Sequence, residues 1–439
     1  MRYLNDEEKS RRASRVRPQQ SQYGGLKMKQ KLFSKDFTLV VIGQIISLFG
    51  NAAIRFALPL YLLNLTGSPA LYGTVTACAF LPAVLLSPIG GIAADRVNKR
   101  NVMVILDFFT AAVILAFSLL MNGAHLVLLL TVTLMLLYGI AGAYQPSVQA
   151  SIPALVAQEH FMAANSVINT ISSFASLAGP VLGGLLYSAW GLRPVLLVCV
   201  ICFLLSAVME LFIHIPFSKQ AANGGVLRTA RADFAQSLRF IRKEKAVIGK
   251  ILLVVCGINL FLSAMIVVAL PYLITEVLDF QAAQANRLYG FAEGALAAGG
   301  LAGGVCAGVF ANKLSVRKAG DLLAACAVPV FPIGAGLILS PSGPVNYMVI
   351  TLCCFLIMAA STVFTVQMMS YIQAETPPHL IGKVIAVILT VSMCAQPLGS
   401  ALYGVLFALC KGAEFAVVFF SGAVSLALAL RTRSLTKQL

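Results

Sequence analysis

The stretch that decides the fold is Gly90-Gly91-Ile92-Ala93-Ala94-Asp95-Arg96-Val97-Asn98-Lys99-Arg100, a short charged segment between two long apolar runs. The runs, residues 71–94 and 102–121, are each close to the roughly 20 apolar residues that cross a bilayer. The charged segment is therefore predicted to turn at a membrane face. Its basic residues predict the cytoplasmic face, because short loops rich in Lys and Arg stay in the cytoplasm.

The composition of the whole chain agrees with this interpretation. Apolar residues make up 59% of the 439 residues and charged residues only 11%, which excludes an ordinary soluble domain. The net charge of +16 comes from basic clusters that fall between apolar runs, always on the same predicted side. We therefore expect the charge to face anionic membrane lipid and not nucleic acid.

Cysteine and histidine usage predicts no metal site and no cofactor. The ten cysteines lie in apolar segments, and the four histidines are scattered along the chain. Cys199 and Cys202 have the spacing of a redox motif, but no His or acid accompanies them in their apolar run, so packing is the favoured role. The first apolar run is too long for a cleavable signal and is expected to remain as a spanning helix.

The hydropathy pattern predicts an all-α membrane protein of twelve spanning helices in two pseudo-symmetric six-helix bundles. The helices are expected at about 37–63, 70–94, 101–121, 126–147, 163–188, 194–215, 247–275, 286–311, 318–340, 346–371, 381–408 and 413–431. The predicted domains are a disordered basic tail (1–35), a first bundle (36–216), a linker (217–246), a second bundle (247–431) and a short tail (432–439). Both tails are expected in the cytoplasm.

Two further expectations concern the tail and the linker. Met28-Lys29-Gln30-Lys31 stands directly before the first apolar run and looks like a natural start, which leaves open whether residues 1–27 are an annotation artefact. Residues 232–241 of the linker are expected to form a short basic amphipathic helix on the inner leaflet.

The two halves of the chain resemble each other. Leu48-Phe49 and Ala57-Leu58-Pro59 recur as Leu260-Phe261 and Ala269-Leu270-Pro271, at a constant offset of 212. The charged segment at residues 90–100 recurs around Gly308, and a third block of similar sequence recurs near the end of each half. A parallel repeat of this kind is expected of a six-plus-six transporter with its substrate site between the halves, near the bilayer midplane.

The order Gly-x-x-x-Asp-Arg-x-x-Lys-Arg resembles the loop between helices 2 and 3 of the major facilitator superfamily, with Asn98 where the family usually has Gly. The residues that carry the match, together with an acid in the next helix, are Gly91, Asp95, Arg96, Lys99, Arg100 and Asp107. The resemblance implies that they act as a gate for alternating access; a simple topogenic turn is the alternative. Asp107 and Asp321 lie at similar places in the two halves, which favours a shared structural partner for the loop cations.

Two charges inside apolar runs break the repeat and are candidates for function. Arg55 follows Gln44 and Asn51 on one face of helix 1, and its repeat partner is Val267. Glu293 lies about two turns inside helix 8. Because charges within a membrane are costly and usually face a cavity or a partner, we expect Arg55 to act as a counter-ion, a substrate contact or a coupling group, with a buried structural pair as the alternative. Glu293 is the candidate for proton coupling or for attracting a cationic substrate, with a salt bridge to Arg55 or Arg287 as the alternative.

Other polar residues in the predicted helices are candidates for the cavity wall or for contacts between helices. They are Tyr138, Gln145, Asn259, Ser263, Ser361 and Thr365. The motif Gly179-Pro180-x-x-Gly183-Gly184 resembles the helix 5 motif of the exporter branches, and its small residues are expected to let helices approach closely.

Several short segments, including Leu58-Pro59-Leu60-Tyr61 and Gln145-Pro146, look like the macrolide-efflux and enterobactin-exporter branch of the superfamily. This resemblance implies a monomeric, proton-driven exporter of small amphipathic compounds in a bacterial inner membrane. One departure is that helix 4 has no Arg or Lys, which many drug/proton antiporters carry there; Arg55 is the hypothesised substitute.

The alternatives left open are siderophore or metabolite export, solute symport, and coupling to an ion other than the proton. From other classes, a transport-inactive sensor and a polytopic membrane enzyme are considered. No catalytic constellation is apparent inside the predicted helices, so an enzyme is not expected.

Overall fold

The fold was examined in a computed structural model that describes residues 32–96, 98–123, 125–215, 234–241, 245–310, 316–340, 342–377 and 380–436. Within these ranges the side chains of residues 85, 87–96, 246, 316, 435 and 436 are not described. The predicted tail, most of the linker and Val97 of the opening segment therefore lie outside the described residues.

The described residues form twelve long helices, and the prediction of an all-α membrane protein is confirmed. In chain order they are α1 Lys35–Thr66, α2 Pro69–Arg96, α3 Lys99–Leu120, α4 Leu126–Leu155, α5 Phe161–Trp190, α6 Leu192–Leu211, α7 Ala246–Val277, α8 Ala282–Val309, α9 Ala319–Leu339, α10 Gly343–Glu375, α11 Ile381–Leu409 and α12 Glu414–Thr436. Eleven are long and apolar enough over their described residues to cross a membrane, and α2 has 28 residues.

Local sequence explains where the first helix begins and ends. The Ser34 side chain accepts a hydrogen bond from the backbone N–H of Phe37 at 3.2 Å, which caps the start of α1. Gly67 ends the helix in the left-handed region with φ of 56°, and its N–H bonds the carbonyl of Leu63. Pro69 then opens α2, so a tight turn connects the two helices.

Two helices depart from regular α-geometry. Helix α7 contains π-helical turns at Asn259–Ser263 and Leu273–Val277, and α9 is interrupted between Ala327 and Val330. The interruption coincides with Pro329, whose ring and missing N–H disfavour a continuous helix. A π turn accommodates one extra residue per turn and is frequent at functional sites.

Several helices extend beyond the predicted bounds. Helix α4 runs to Leu155, not to about 147, because Pro146 and Pro153 are accommodated within it. Helix α10 continues to Glu375 through a polar last turn. Hydropathy predicts where an apolar run ends. The helical backbone, however, continues into the polar residues that follow, so the observed helices are longer than the predicted ones.

The packing pattern repeats with a period of six helices. In the first bundle, α1 packs on α5 and α6, α3 packs on α4 and α6, and α2 packs on α4. In the second, α7 packs on α11 and α12, α9 on α10 and α12, and α8 on α10. The bundles meet along two equivalent seams, α2 with α11 and α5 with α8. This is the two-bundle pseudo-symmetric fold that the internal repeat predicted.

The two seams close at one end of the molecule. We call the end where α1 begins and α12 ends the terminal face, and the opposite end the distal face. Near the distal face, Gly73 and Gly404 bring the backbones of α2 and α11 together, and an added Cβ on Gly404 would lie 2.7 Å from the carbonyl of Pro69. Gly184 and Gly290 likewise bring the backbones of α5 and α8 together. Glycines at these positions permit backbone contact that any side chain would block.

The distal closure also contains polar and aromatic contacts. The Asn64 Nδ2 donates to Asn286 Oδ1 at 2.9 Å, and the Ser188 hydroxyl donates to the carbonyl of Ala283 at 2.6 Å. Trp190 ends α5 at this face, 64% exposed, in a groove that it shares with Arg287 of α8. These two hydrogen bonds therefore join the bundles at the distal face.

Toward the terminal face the two bundles diverge. Met162 is 87% exposed, and Phe174 of α5 and Leu301 of α8 are exposed around a cleft between these helices. Asn169 of α5 lines both this cleft and the space between the two bundles, so the cleft leads from the terminal side into the interior. The interior of the molecule is therefore accessible from the terminal face and closed at the distal face.

The described part of the linker contains a helix at residues 234–241. The prediction placed this helix on the inner leaflet, but Phe240 and Ile241 are buried in the core of the second bundle. The Lys383 ammonium donates to Gln236 at 3.1 Å. These two side chains dock the end of the helix on protein, Phe234 at its start is 42% exposed, and the place of the helix on the inner leaflet stays a prediction.

Next to this helix, Lys245 pairs with Glu375 at the end of α10, with 2.5 Å between Nζ and Oε2. The hydrogen bond and negative charge of Glu375 raise the pKa of Lys245. The contact joins the start of α7 to the end of α10 at the terminal face.

Candidate functional site

A cavity of about 680 Å³ lies between the bundles, in the middle of the helices. Its wall is formed mainly by α1, α2, α4 and α5 from the first bundle, and α7 and α8 contribute from the second. The residues that line it include Asn51, Arg55, Phe56, Tyr72, Thr76, Phe80, Tyr138, Gln145, Gln149, Asn169, Ser172, Pro180, Tyr289 and Glu293. Its size falls within the range of small-molecule sites.

Arg55 is held over an aromatic ring in this cavity. Its Cζ lies 3.5 Å from the ring centroid of Tyr138 on α4. The Tyr138 ring in turn meets Phe80 of α2 edge-on, with centroids 5.0 Å apart. A cation over an aromatic face is stabilised electrostatically, and no acid within 4 Å pairs with Arg55 among the described side chains. The guanidinium is thus available to a ligand.

Glu293 enters the cavity from the second bundle. It is half-buried on α8, and the Tyr289 hydroxyl one turn earlier donates to its Oε1 at 3.2 Å. No ion pair within 4 Å joins Glu293 to a basic residue among the described side chains, so the alternative salt bridge with Arg55 or Arg287 is not observed. The cavity therefore presents a cation and a carboxyl group from opposite bundles.

Aromatic side chains form the roof toward the distal face. Phe56 of α1 stacks on Tyr289 of α8 across the two bundles, with ring centroids 4.7 Å apart and an angle of 20° between planes. Tyr72 and Tyr289 are both buried and face each other. Stacked and edge-to-face rings stabilise such a contact beyond simple burial. Glu293 is thus attached directly to the residues that close the distal side.

The cavity brings together five of the ten predicted substrate and coupling residues: Asn51, Arg55, Tyr138, Gln145 and Glu293. The other five lie elsewhere. Gln44 is buried among polar residues nearer the terminal face. The Asn259 amide donates to the carbonyl of Ser392 on α11 at 3.0 Å and joins two helices, whereas Ser263 donates to Asn259 one turn away on the same helix at 3.4 Å. The Thr365 hydroxyl donates to the carbonyl of Ser361 on its own helix.

The helix 5 motif lies where α5 meets both α1 and α8. Gly179 packs against Ala52 and Gly183 against Ala53 of α1, whereas Gly184 faces Gly290 of α8. Pro180 lies between them and lines the cavity. The motif therefore supplies close packing at the cavity wall and at one seam.

The predicted gate segment is only partly described. Gly91, Asp95 and Arg96 fall in the last turns of α2, and their side chains lie outside the described residues. Lys99 begins α3. The Arg100 guanidinium donates to the carbonyls of Glu210 and Leu211 at the end of α6. A cation at a helix C-terminus is favoured by the helix dipole.

The two acids that the sequence placed in equivalent positions have different surroundings. Asp107 is buried and accepts a hydrogen bond from Ser47 at 3.2 Å. Asp321 is half exposed and pairs with Arg433 of α12, with 3.1 Å between Nε and Oδ1. A shared structural partner was expected, but the described contacts differ between the bundles.

Sequence analysis passed over Glu210. It is 1% exposed on α6, and its Oε1 accepts a hydrogen bond from Tyr144 at 2.7 Å. An acid within the predicted sixth helix was the available signal. Its partners could not be assigned, because they come from helices far apart in the chain.

A central cavity between two pseudo-symmetric six-helix bundles is the architecture of membrane transporters. Comparison with known proteins defines the family. The Major Facilitator Superfamily profile matches residues 40–400, and the chain belongs to this superfamily.

Relatives and solved structures agree with that assignment. The chain is 22% identical over 371 residues to macrolide efflux protein A of Streptococcus pyogenes, covering 83% of this chain and 88% of the relative. It is 29% identical over 197 residues to multidrug resistance protein MdtG of Citrobacter koseri, covering 43% and 47%. A crystal structure of a mutant of the nucleoside transporter NupG superposes with a TM-score of 0.70 at 13% identity, covering 91% of this chain and 99% of that one.

Proposed function

We propose that this protein is a secondary active exporter that expels small amphipathic compounds, such as macrolides, against an inward flow of protons. Substrate enters from the cytoplasm and leaves outside as the two bundles alternate their openings. The proposed location is a bacterial inner membrane, with both termini in the cytoplasm, and the proposed working form is a monomer surrounded by lipid. We propose no catalytic chemistry and no cofactor.

One observation carries the proposal: a single cavity between the bundles combines aromatic walls with one cation and one carboxyl group. The rings of Phe56, Phe80 and Tyr138 offer apolar surface, and Arg55 and Glu293 offer charge. A site of this kind suits a molecule that is apolar over most of its surface and polar at a few points.

Topology supports the proposed orientation in the membrane. Basic residues flank the helices at the terminal face, which favours a cytoplasmic location for that face under the positive-inside rule. The cavity is accessible from this face and closed at the other. The printed names of two relatives, a macrolide efflux protein and a multidrug resistance protein, favour export over uptake.

Glu293 is the proposed coupling group. Its carboxyl group has a tyrosine partner and no ion pair among the described side chains, so it can be neutralised by a proton. It is also bonded to Tyr289 of the distal roof. Opening the distal side would therefore change the surroundings of the carboxyl group, which is what a proton-coupled step requires.

A second candidate is export of an anionic siderophore or metabolite. The observation that favours it is the guanidinium of Arg55, which has no acidic partner among the described side chains. An anionic ligand would pair with it by charge-assisted hydrogen bonds. Solute symport, a transport-inactive sensor and a membrane enzyme are alternatives with no specific observation in their favour.

Everted membrane vesicles with an acidic interior test the proposal. Macrolides, lipophilic cationic dyes and catecholate siderophores are added singly while a fluorescent probe follows the pH gradient. We expect compound-dependent proton release in wild-type vesicles, loss in Glu293→Gln, and retention in Glu276→Gln, whose carboxyl group lies near Gly67 at the distal end. Release only with siderophores would favour the second candidate.

Absence of release with every compound, despite verified protein in the membrane, would contradict drug/proton antiport. Uptake of radiolabelled compound into the same vesicles then separates the alternatives. Flux without proton movement indicates another coupling ion, and absence of flux indicates a sensor.

A further inference from the structure

A second group of polar side chains is buried inside the first bundle, away from the cavity. Four helices contribute to this group, which we call the acidic cluster. Its members are Gln44 and Ser47 of α1, Asp107 of α3, Tyr144 of α4, and Ser206 and Glu210 of α6. None of them lines the central cavity.

The donors of the acidic cluster are already engaged. Gln44 Nε2 donates to the Tyr144 hydroxyl at 2.7 Å, and that hydroxyl donates to Glu210 Oε1 at 2.7 Å. Ser47 donates to Asp107 Oδ1 at 3.2 Å. The Ser206 hydroxyl donates to the carbonyl of Gly43 at 3.2 Å.

Three acceptors are left without a donor. They are Gln44 Oε1, Asp107 Oδ2 and Glu210 Oε2, on residues that are 0%, 2% and 1% exposed. A buried acceptor with no donor is strongly unfavourable, and a buried charge without a partner is more so. The amide of Gln44 is the independent sign that a donor is missing, because its oxygen would be unpartnered whatever the charge of the two acids.

No basic side chain compensates the two acids among the described residues. On α3, the Arg100 guanidinium is committed to the carbonyls of Glu210 and Leu211. On α1, the ionisable groups are Lys35, Arg55 and Asp36, and Asp36 accepts from the backbone N–H of His214 beyond α6. Helix α4 contributes only Tyr144, which is within electrostatic range of both carboxyl groups.

We propose that Asp107 and Glu210 form a proton-binding site, separate from the cavity, that holds one proton between them in the conformation with the distal face closed. The proton resides on a bare carboxyl oxygen and supplies the missing donor. It leaves at most one negative charge in the cluster, because two carboxylates sharing a buried site cannot both be ionised cheaply.

The acid at the similar place in the second bundle is half exposed and has a basic partner. This acid, Asp321 on α9, pairs with Arg433 on α12, with 3.1 Å between Nε and Oδ1. In the first bundle, the neighbour on the corresponding helix α6 is a second acid.

Infrared spectroscopy of the purified full-length protein in detergent tests the proposal, and it requires no transport. The signal is the C=O stretching band of a protonated carboxyl group at neutral pH. We expect it to be reduced in Asp107→Asn and in Glu210→Gln, lost from this cluster in the double variant, and unchanged in Glu276→Gln. Glu293→Gln identifies any contribution from the cavity. An unchanged band in the double variant would overturn the proposal.

A second measurement holds even where a variant folds poorly. The melting temperature of the wild-type protein is expected to fall as pH rises, because alkaline pH withdraws the proton and leaves two like charges buried together. Glu210→Gln, which keeps the shape of a protonated acid, should lose much of this fall. A wild-type melting temperature that rises with sodium at constant pH would instead assign a sodium ion to the bare oxygens and overturn the proton assignment.

Discussion

Two charged side chains are proposed to determine what the cavity binds. Arg55 is placed by its contact with Tyr138, and Glu293 by its hydrogen bond from Tyr289. The two come from different bundles and have no acid–base contact with each other among the described residues. A substrate that engages both would bridge the bundles, so the affinity of the cavity depends on how far they have closed.

Replacing Arg55 by Ala is expected to weaken transport of a substrate that contacts it. A hydrogen bond to a charged group contributes about 1.5–3 kcal/mol, so the apparent KM should rise by about tenfold or more. Arg55→Lys keeps the charge and should lose less. Radiolabelled uptake into everted vesicles measures the change.

The matched control is Arg193→Ala, because Arg193 is exposed on α6 and contacts only Asn122 in the described hydrogen bonds. Equal losses of transport in the two variants would contradict the proposed role of Arg55 in substrate binding. A loss in Arg55→Ala that a Tyr138→Leu variant reproduces would show that the stacked geometry of Arg55 matters as well as its charge.

Arg55 and Glu293 were predictable from the sequence because each is a charge inside an apolar run and each breaks the internal repeat. Gln44 and Asn51 share a helix face, but Gln44 lies in the acidic cluster and Asn51 in the cavity. A helix is long enough for one stripe to face two environments. The sequence predicts which face of α1 is polar. It does not predict at which point along the helix that face leaves the cavity and enters the acidic cluster.

Pairs of helices provide the closure at the distal face. The α2/α11 and α5/α8 seams depend on glycines whose added Cβ atoms would collide with the facing backbone. Backbone cannot move aside as a side chain does, so these positions tolerate substitution poorly. The helix 5 motif was predictable as a site of close packing, whereas its division between α1 and α8 required the structure.

Gly73→Val is expected to open the α2/α11 seam and to shift the protein toward a conformation with the distal face open. The reason is the clash of the new side chain with the Ser400 carbonyl and Gly404. In a cysteine-free background, Thr76→Cys, at a buried cavity position of α2, should then react faster with a membrane-impermeant maleimide applied at the distal face.

Gly304→Val serves as the control for this variant, since a Cβ at Gly304 on α8 meets no atom within 4 Å. It should leave the labelling rate unchanged. If Gly73→Val also leaves the rate unchanged in a folded protein, the seam does not hold the distal face closed.

At the scale of the whole molecule, two bundles of equal helix count and equal packing pattern frame one cavity. This was predictable, because hydropathy sets the spans and the repeat sets the symmetry. The conformation was not predictable, since the same sequence pattern fits an opening at either face. Backbone contacts at the α2/α11 and α5/α8 seams determine which face is closed.

The Asp95→Asn variant tests the gate role implied by the family resemblance. We expect expression and insertion to be retained and the rate of transport to fall, because the acid is proposed to join the bundles in one state only. Initial rates in vesicles measure the effect. Glu159→Gln, an exposed acid at the same face, is the control, and wild-type rates in Asp95→Asn would contradict the gate role.

The proposed topology has its own test. Fusion of the C-terminus to a green fluorescent protein should give fluorescent cells, and fusion to alkaline phosphatase should give inactive enzyme, because basic residues keep this end in the cytoplasm. The reverse pattern would invert the orientation and with it the direction in which the cavity opens.

The position of Trp190 has a practical consequence. It is the chain's one tryptophan, and it lies exposed at the end of α5 in a groove shared with Arg287 of α8. Indole emission responds to the polarity and charge around the ring. The unmodified protein therefore carries an intrinsic fluorophore at a seam that would part in the proposed alternation, and stopped-flow emission would time that opening without any attached label.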